Sequence, residues 1–375
     1  MKPGVKSLGV IDLIRLIRPF LNYDMIESEA RQIIESGWLT RGAHCQKFRE
    51  DLEIYTGAAH CALTTSATTA LYSCLKILGI GPGDEVAVSD FSFPASSNVI
   101  EEVGARPVFI DVCADNFNMD INELRRSWNS RIKAVIFVDV FGNLTNLSQV
   151  VEFCRSKDIP LIEDAACAIG ARIGSRACGS IADLTCFSFH PRKLLTTGEG
   201  GAITAKSDKY AIQIDQYLSH GSLKLDDKFE FSESGQNFRM SELQALMGWK
   251  QLAMLDEVVE ERLLIWNQLT NILGDLGFKS QSVGHGIRFS AQSLVFQVPE
   301  MVDRDDLINQ LRLLDVEATL GTYSLSGTKF NRKKYNKPQP VSWRLQNSTI
   351  TLPCYSGLPV DTVVSAIKEA LKELR

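Results

Sequence analysis

No apolar run in the chain is long enough to cross a bilayer. The first twenty residues, MKPGVKSLGVIDLIRLIRPF, carry Asp12 and Arg15 where a signal peptide needs an unbroken apolar stretch. A cytoplasmic protein with no membrane partner is expected. Neither sign of charge dominates: 40 Lys and Arg stand against 45 Asp and Glu, interleaved along the chain, for a net charge of −5. That balance leaves no electrostatic footprint for nucleic acid. The nine cysteines are an odd number without a CxxC pair, mostly set in apolar segments. They read as buried free thiols in a reducing compartment, not as a disulfide framework or a zinc site. The five histidines are dispersed, so no metal centre is expected. No G-x-G-x-x-G stands between a first strand and its helix, which removes the main signature of a dinucleotide-binding dehydrogenase.

What is present is the patterning of a layered α/β protein. A chain of 375 residues suits one large domain and one smaller one. From about residue 58 to 205 the runs HCALTT, DEVAVSD, RPVFIDV, IKAVIFVDVFG, IPLIEDAA, DLTCFSF and GGAITAK alternate with helical spacing such as TTALYSCLKIL and NLSQVVEFCRSK. Strands apolar on both faces and joined by helices predict a mostly parallel sheet covered on both sides. From 239 to 273 the pattern is one long helical stretch without proline. It leads into a smaller α+β unit, giving predicted domains of 1–255 and 256–375. The basic, proline-containing stretch SGTKFNRKKYNKPQPVSW reads as a long surface loop.

In such sheets ligands collect at the carboxyl ends of the strands. Three of those ends carry chemistry. TTSATTAL, residues 64–71, sets hydroxyls and free N–H groups where a strand becomes a helix, an arrangement that suits a phosphate or simply caps the helix. LIEDAAC ends an apolar strand with Glu163 and Asp164, at least one of which should face the ligand and need a cationic partner. SFHPRKLLTTGEGGAI places Lys193 between a strand end and a glycine-rich turn; an exposed charge is the plainer reading, a nucleophilic amine the sharper one. A phosphate cradle, a buried carboxylate and a lysine together fit pyridoxal 5'-phosphate, whose phosphate, ring nitrogen and aldehyde need one each.

These stretches, with SGWLTRG and GQNFRMSELQALMG, resemble the motif set of the DegT/DnrJ/EryC1/StrS sugar aminotransferases, in order from about residue 18 to the C-terminus. The resemblance implies fold type I of the pyridoxal-phosphate enzymes: a three-layer αβα large domain with a mostly parallel sheet, and a smaller C-terminal α+β domain. It further implies that Lys193 forms the Schiff base and that Asp164 faces the pyridine nitrogen. Ala67, Thr68 and Ser188 are implied around the phosphate, Phe93 against the ring, and Cys167 near the phenolic oxygen. Asn237 is implied to reach the neighbouring subunit's phosphate, which makes the active unit a homodimer with shared sites. Trp38, Thr40, His190 and Tyr323 are implied on the substrate side. The implied partners are an amino-acid donor, glutamate by analogy, and a keto-sugar nucleotide.

Three positions depart from the pattern. Cys167 stands where many relatives place glutamine or histidine, and a thiol is a poor donor. Ser326 occupies roughly the place of a histidine in the sugar site, and Leu218 that of an arginine. A non-nucleotide cyclic ketone as substrate, a sugar dehydratase and a non-catalytic relative are the alternatives. A histidine replaces the lysine in the dehydratase branch, so Lys193 speaks against it.

Overall fold

The computed structural model describes residues 13–225 and 228–374. Most of the N-terminal stretch read for a signal peptide, residues 1–12, lies outside them. Seven strands form the central sheet: β1 (His60–Thr64), β2 (Glu85–Ser89), β3 (Arg106–Ile110), β4 (Ile132–Val138), β5 (Leu161–Asp164), β6 (Leu184–Ser188) and β7 (Gly201–Ala205). Their spatial order is β1-β7-β6-β5-β4-β2-β3. Strand β7 runs antiparallel to both its neighbours, and every other pairing in the sheet is parallel.

The sheet is buried on both faces because successive side chains serve opposite cores. On β2 and β4, Ala87, Val135 and Phe137 belong to one apolar cluster, while Val86, Val88, Ala134 and Ile136 belong to the other. Leu147, Val150 and Phe153 of the helix Leu147–Lys157 cover the first face; Ala70, Leu71, Cys74 and Leu75 of the helix Ala67–Ile77 cover the second. The result is the three-layer architecture expected from the apolar runs.

A second unit has a four-stranded antiparallel sheet of Lys279–Ser280, Leu294–Gln297, Thr349–Leu352 and Thr319–Leu320. The helices Arg304–Leu313 and Val360–Glu373 contribute Leu307, Leu311, Val363 and Ile367 to its core. Ile14, near the start of the described chain, joins that core and bridges to Val316. Among the described residues no helix is long and apolar enough to cross a membrane.

Two local expectations are corrected. The stretch 239–273 is two helices, Glu242–Leu252 and Leu255–Gly274, because Met254 leaves the helical region at φ −110° and ψ 5°. No glycine or proline marks that break; Leu252 and Leu255 on either side of it enter the same core. The supposed loop at 326–343 contains the helix Lys329–Tyr335 and leads into Pro340–Ser348. Thr328 caps the first by accepting from the Asn331 N–H. The second starts on Pro340, and its free N–H groups at Val341 and Ser342 donate to Asp111, 230 positions away in sequence.

Candidate active site

The floor of the site is the carboxyl end of β5. Glu163 and Asp164 are consecutive strand residues, so their side chains leave on opposite faces. Asp164 is buried: its Oδ2 accepts from Ser96 Oγ at 2.7 Å and its Oδ1 from the Ala166 N–H at 3.2 Å. Ser96, at the start of the helix Ala95–Glu102, is itself within 2.9 Å of Ser92 Oγ. Burial pushes the Asp164 carboxyl above its ordinary range; the Ser96 hydroxyl, the Ala166 N–H and the charge of Lys193 oppose that shift.

Glu163 serves the other face. It accepts from Thr185 Oγ1 at 2.7 Å and from Cys178 Sγ at 3.4 Å, and it sits in a buried group with Asp139. Burial first, then the Glu163 charge, pushes Asp139 well above the carboxylate range, and burial also raises Glu163. Two buried carboxyl groups this close do not both ionise, and a shared proton is the simplest state. The cation that the sequence led us to expect is therefore near Asp164, not Glu163.

The loop from Phe189 to Gly200 joins the antiparallel neighbours β6 and β7 and carries Lys193 above the end of β6. Its backbone is pinned by the Lys193 N–H donating to the His190 carbonyl and by the Leu194 N–H donating to Gln292 Oε1 at 2.8 Å. The Lys193 Nζ lies 3.2 Å from Cys167 Sγ, and the half-buried amine acts on Asp164 through its charge. The exposed-charge reading of Lys193 fails. His190 is partly buried and accepts from the Arg192 N–H; burial lowers its pKa, which the Glu199 charge opposes.

At the edge of the same floor, Ser66 caps the helix Ala67–Ile77 reciprocally with Thr69. The N–H groups of Ala67 and Thr68 are left without a partner among the described residues. Strand β7 brings this helix end against β6: Gly201 pairs with Thr64 on one side and Ser188 on the other. A Cβ on Gly201 would lie 2.5 Å from the Ser66 carbonyl carbon and 2.7 Å from the Ala67 nitrogen, so only glycine permits the approach. Free N–H groups, a positive helix end and the Ser188 hydroxyl meet there, as an anionic phosphate requires. This cradle, the buried Asp164 carboxyl and the Lys193 amine match the three groups of pyridoxal phosphate.

Phe93 is not a core residue, as a strand-end phenylalanine ordinarily is; it is 66% exposed. Its ring stands edge-on to that of Tyr323, with centroids 6.4 Å apart. Trp38, Thr40 and Asn237 lie near the start of the helix Glu242–Leu252, where Gln244 donates to the Glu199 carbonyl at the end of the lysine loop. Thr40 bridges to Ser241, Asn237 bridges to Ser219, and the Glu242 carboxylate accepts from the Gly42, His44 and Cys45 N–H groups. Trp38 and Asn237 present exposed side chains there. Leu218 is buried in the second core cluster. Ser96 and Asp139 had no signal in the sequence beyond lying after a strand end.

The sequence model of the DegT/DnrJ/EryC1/StrS aminotransferase family matches residues 23–370. The UDP-4-amino-4-deoxy-L-arabinose–oxoglutarate aminotransferase of Shewanella sediminis is 29% identical over 96% of this chain and 98% of its own. The aminotransferase TlmJ of Streptoalloteichus hindustanus superimposes with a TM-score of 0.90 at 27% identity, over 96% of this chain and 99% of that one. A Streptococcus pneumoniae chain solved in its PLP form gives a TM-score of 0.87 at 25% identity, covering 95% and 98%. The fold is that of the fold type I aminotransferases.

Proposed function

The chain belongs to the DegT/DnrJ/EryC1/StrS aminotransferase family, and from that premise we propose that it is a pyridoxal-phosphate-dependent aminotransferase acting on a nucleotide-linked keto-deoxysugar. The amino donor in this reading is glutamate, in keeping with the oxoglutarate named for the Shewanella relative. The observation that carries the proposal is the meeting, at adjoining strand ends, of Lys193, Asp164 and the Ala67–Ser188 cradle.

When bound, the cofactor supplies an aldehyde that takes up the donor's amine and a ring that accepts the electrons released when a neighbouring proton leaves. Asp164 would face the ring nitrogen, and its carboxylate form would favour a proton on that nitrogen. Lys193 Nζ would hold the cofactor through its aldehyde and, as the free amine, would serve as the base and then the acid for the proton that moves. Cys167 Sγ, within hydrogen-bond reach of Nζ, would steady the free amine and lie on the side of the cofactor's phenolic oxygen. The Ala67 and Thr68 N–H groups and the Ser188 hydroxyl would hold the phosphate and so orient the ring. Phe93 would pack against the ring, and Tyr323, His190, Trp38 and Thr40 would serve the substrate side. Asn237, whose exposed side chain makes no hydrogen bond among the described residues, suits a contact with the phosphate of a second copy, so a homodimer with shared sites is part of the proposal. So are a cytoplasmic setting and a division into units 1–255 and 256–375, with the helix Leu255–Gly274 as the joint and the stretch around Ile14 packed on the second unit. That helix gives Val258 and Val259 to the large core and Leu269 and Leu273 to the small one.

The test is a half-reaction. Glutamate added to the cofactor-loaded protein should convert the visible absorption band to that of the amine form, and a panel of keto-sugar nucleotides should reverse it. Lys193→Ala should abolish the first step. A band that glutamate leaves untouched in the wild type would remove the assignment.

A further inference from the structure

Asp90, one residue beyond β2, takes no part in the floor described above, yet it is fully buried. A buried carboxylate is costly unless its oxygens are satisfied. Among the described residues, every donor to its carboxylate comes from the second unit. Its Oδ2 accepts from Ser324 Oγ at 2.9 Å, from Ser326 Oγ at 2.8 Å and from the Ser342 hydroxyl; its Oδ1 accepts from the Ser326 N–H at 2.7 Å. The Asp90 carbonyl also accepts from the Leu325 N–H at 2.7 Å. Burial pushes the carboxyl up to about 6, and the serine donors oppose it.

The cage sits directly behind the aromatic pair at the mouth of the site. Phe91 and Ser92 pair with Ser324 and Tyr323 in a two-residue antiparallel ladder, so the strand leading to Phe93 and the strand bearing Tyr323 are one unit. The placement of Tyr323 edge-on to Phe93 depends on where Ser324 is held. Ser326, which the sequence aligned with a sugar-site position, is 2% exposed and spends its hydroxyl on Asp90, with the Gln339 N–H donating to it at 2.9 Å. It is unavailable to a substrate.

We infer that Asp90, through the hydroxyls of Ser324, Ser326 and Ser342, is a positioning residue that fixes Tyr323 opposite Phe93 and so shapes the wall against which the acceptor sugar packs. Ser326 contributes to acceptor recognition only by way of this cage. The inference rests on the aminotransferase reading for its substrate, but not for its mechanics.

Two variants test it, both as cofactor-loaded protein. Asp90→Asn keeps the shape, but in either amide orientation it turns N–H groups toward the hydroxyls or toward the Ser326 N–H. Ser326→Ala is the milder change should the first fail to fold. Hydrogen exchange of the backbone over 321–328 should quicken by about tenfold, the loss of one charge-assisted hydrogen bond. With the 4-keto-6-deoxyglucose nucleotides of dTDP, UDP and GDP as acceptor probes, KM should rise by a similar factor of about ten. The glutamate half-reaction and the cofactor absorption should stay as in wild type. In a Tyr323→Ala background, Asp90→Asn should add no further rise, because both act on one contact. Unchanged exchange in both variants, or an undiminished effect in the Tyr323→Ala background, overturns the inference. A wild type that turns over none of the probes refutes the substrate reading instead, and the exchange measurement still decides the role of Asp90.

Discussion

Replacing Ser96 by alanine removes a single oxygen from a buried contact and leaves the rest of the site in place. The hydroxyl donates to Asp164 Oδ2 at 2.7 Å. Hydrogen bonds to charged groups contribute about 1.5–3 kcal/mol, so the carboxylate form of Asp164 should lose about tenfold or more in its favour. The direction follows from the opposing causes on Asp164. Burial raises its pKa, and Ser96 is the first of the three groups that hold it down. Without the hydroxyl, burial is opposed only by the Ala166 N–H and Lys193, and the carboxylate forms at higher pH. The half-reaction with glutamate needs that carboxylate, so its acid limb should move to higher pH in Ser96→Ala, with the plateau at high pH retained. Ser96→Thr keeps the hydroxyl and should restore the wild-type profile. Stopped-flow absorbance across pH measures this. An acid limb that stays in place in folded Ser96→Ala would refute the view that Ser96 sets the charge of Asp164.

Gly201→Ala drives a methyl into the Ser66 carbonyl carbon and the Ala67 nitrogen; overpacking of this kind costs about 1–3 kcal/mol, and titration of the apoprotein should show cofactor affinity falling by about tenfold or more, whereas unchanged affinity would disprove the cradle. Asp139→Asn tests the shared proton. Both Asp139 and Glu163 are raised in the folded chain above their ordinary 3.8 and 4.5, so the folded state holds a proton that the unfolded chain has released. Their contribution to stability is complete at low pH and is lost as pH rises through the folded values. An amide at 139 donates to Glu163 without titrating, so melting temperature against pH should fall less steeply in the variant than in wild type. Equal slopes would exclude the pair as the cause.

Much of the large domain is legible because its strands are short apolar runs bounded by turns, each long enough to cross one buried sheet. The lysine loop is legible because glycines, a strand end and a lone lysine coincide within sixteen residues of sequence. The rest depends on contacts that leave no local pattern. Ser96 meets Asp164 across 68 positions, and Ser326 meets Asp90 across 236. The helix Pro340–Ser348 was hidden for the same reason: a proline and basic neighbours read as loop, while its N-terminal cap is Asp111 from the other unit. Phe93 shows the converse, since propensity buries a strand-end phenylalanine and the fold leaves it open at the mouth. Glu163 and Asp164 could be divided only once the strand's two faces were known.

The central claim is that the amine of Lys193 is the point at which the cofactor is held. Borohydride reduction of the loaded protein, followed by digestion and mass spectrometry, tests it most directly. One modified peptide is expected, carrying the reduced cofactor on Lys193. Labelling of any other lysine, or no covalent label after loss of the visible band, would contradict it.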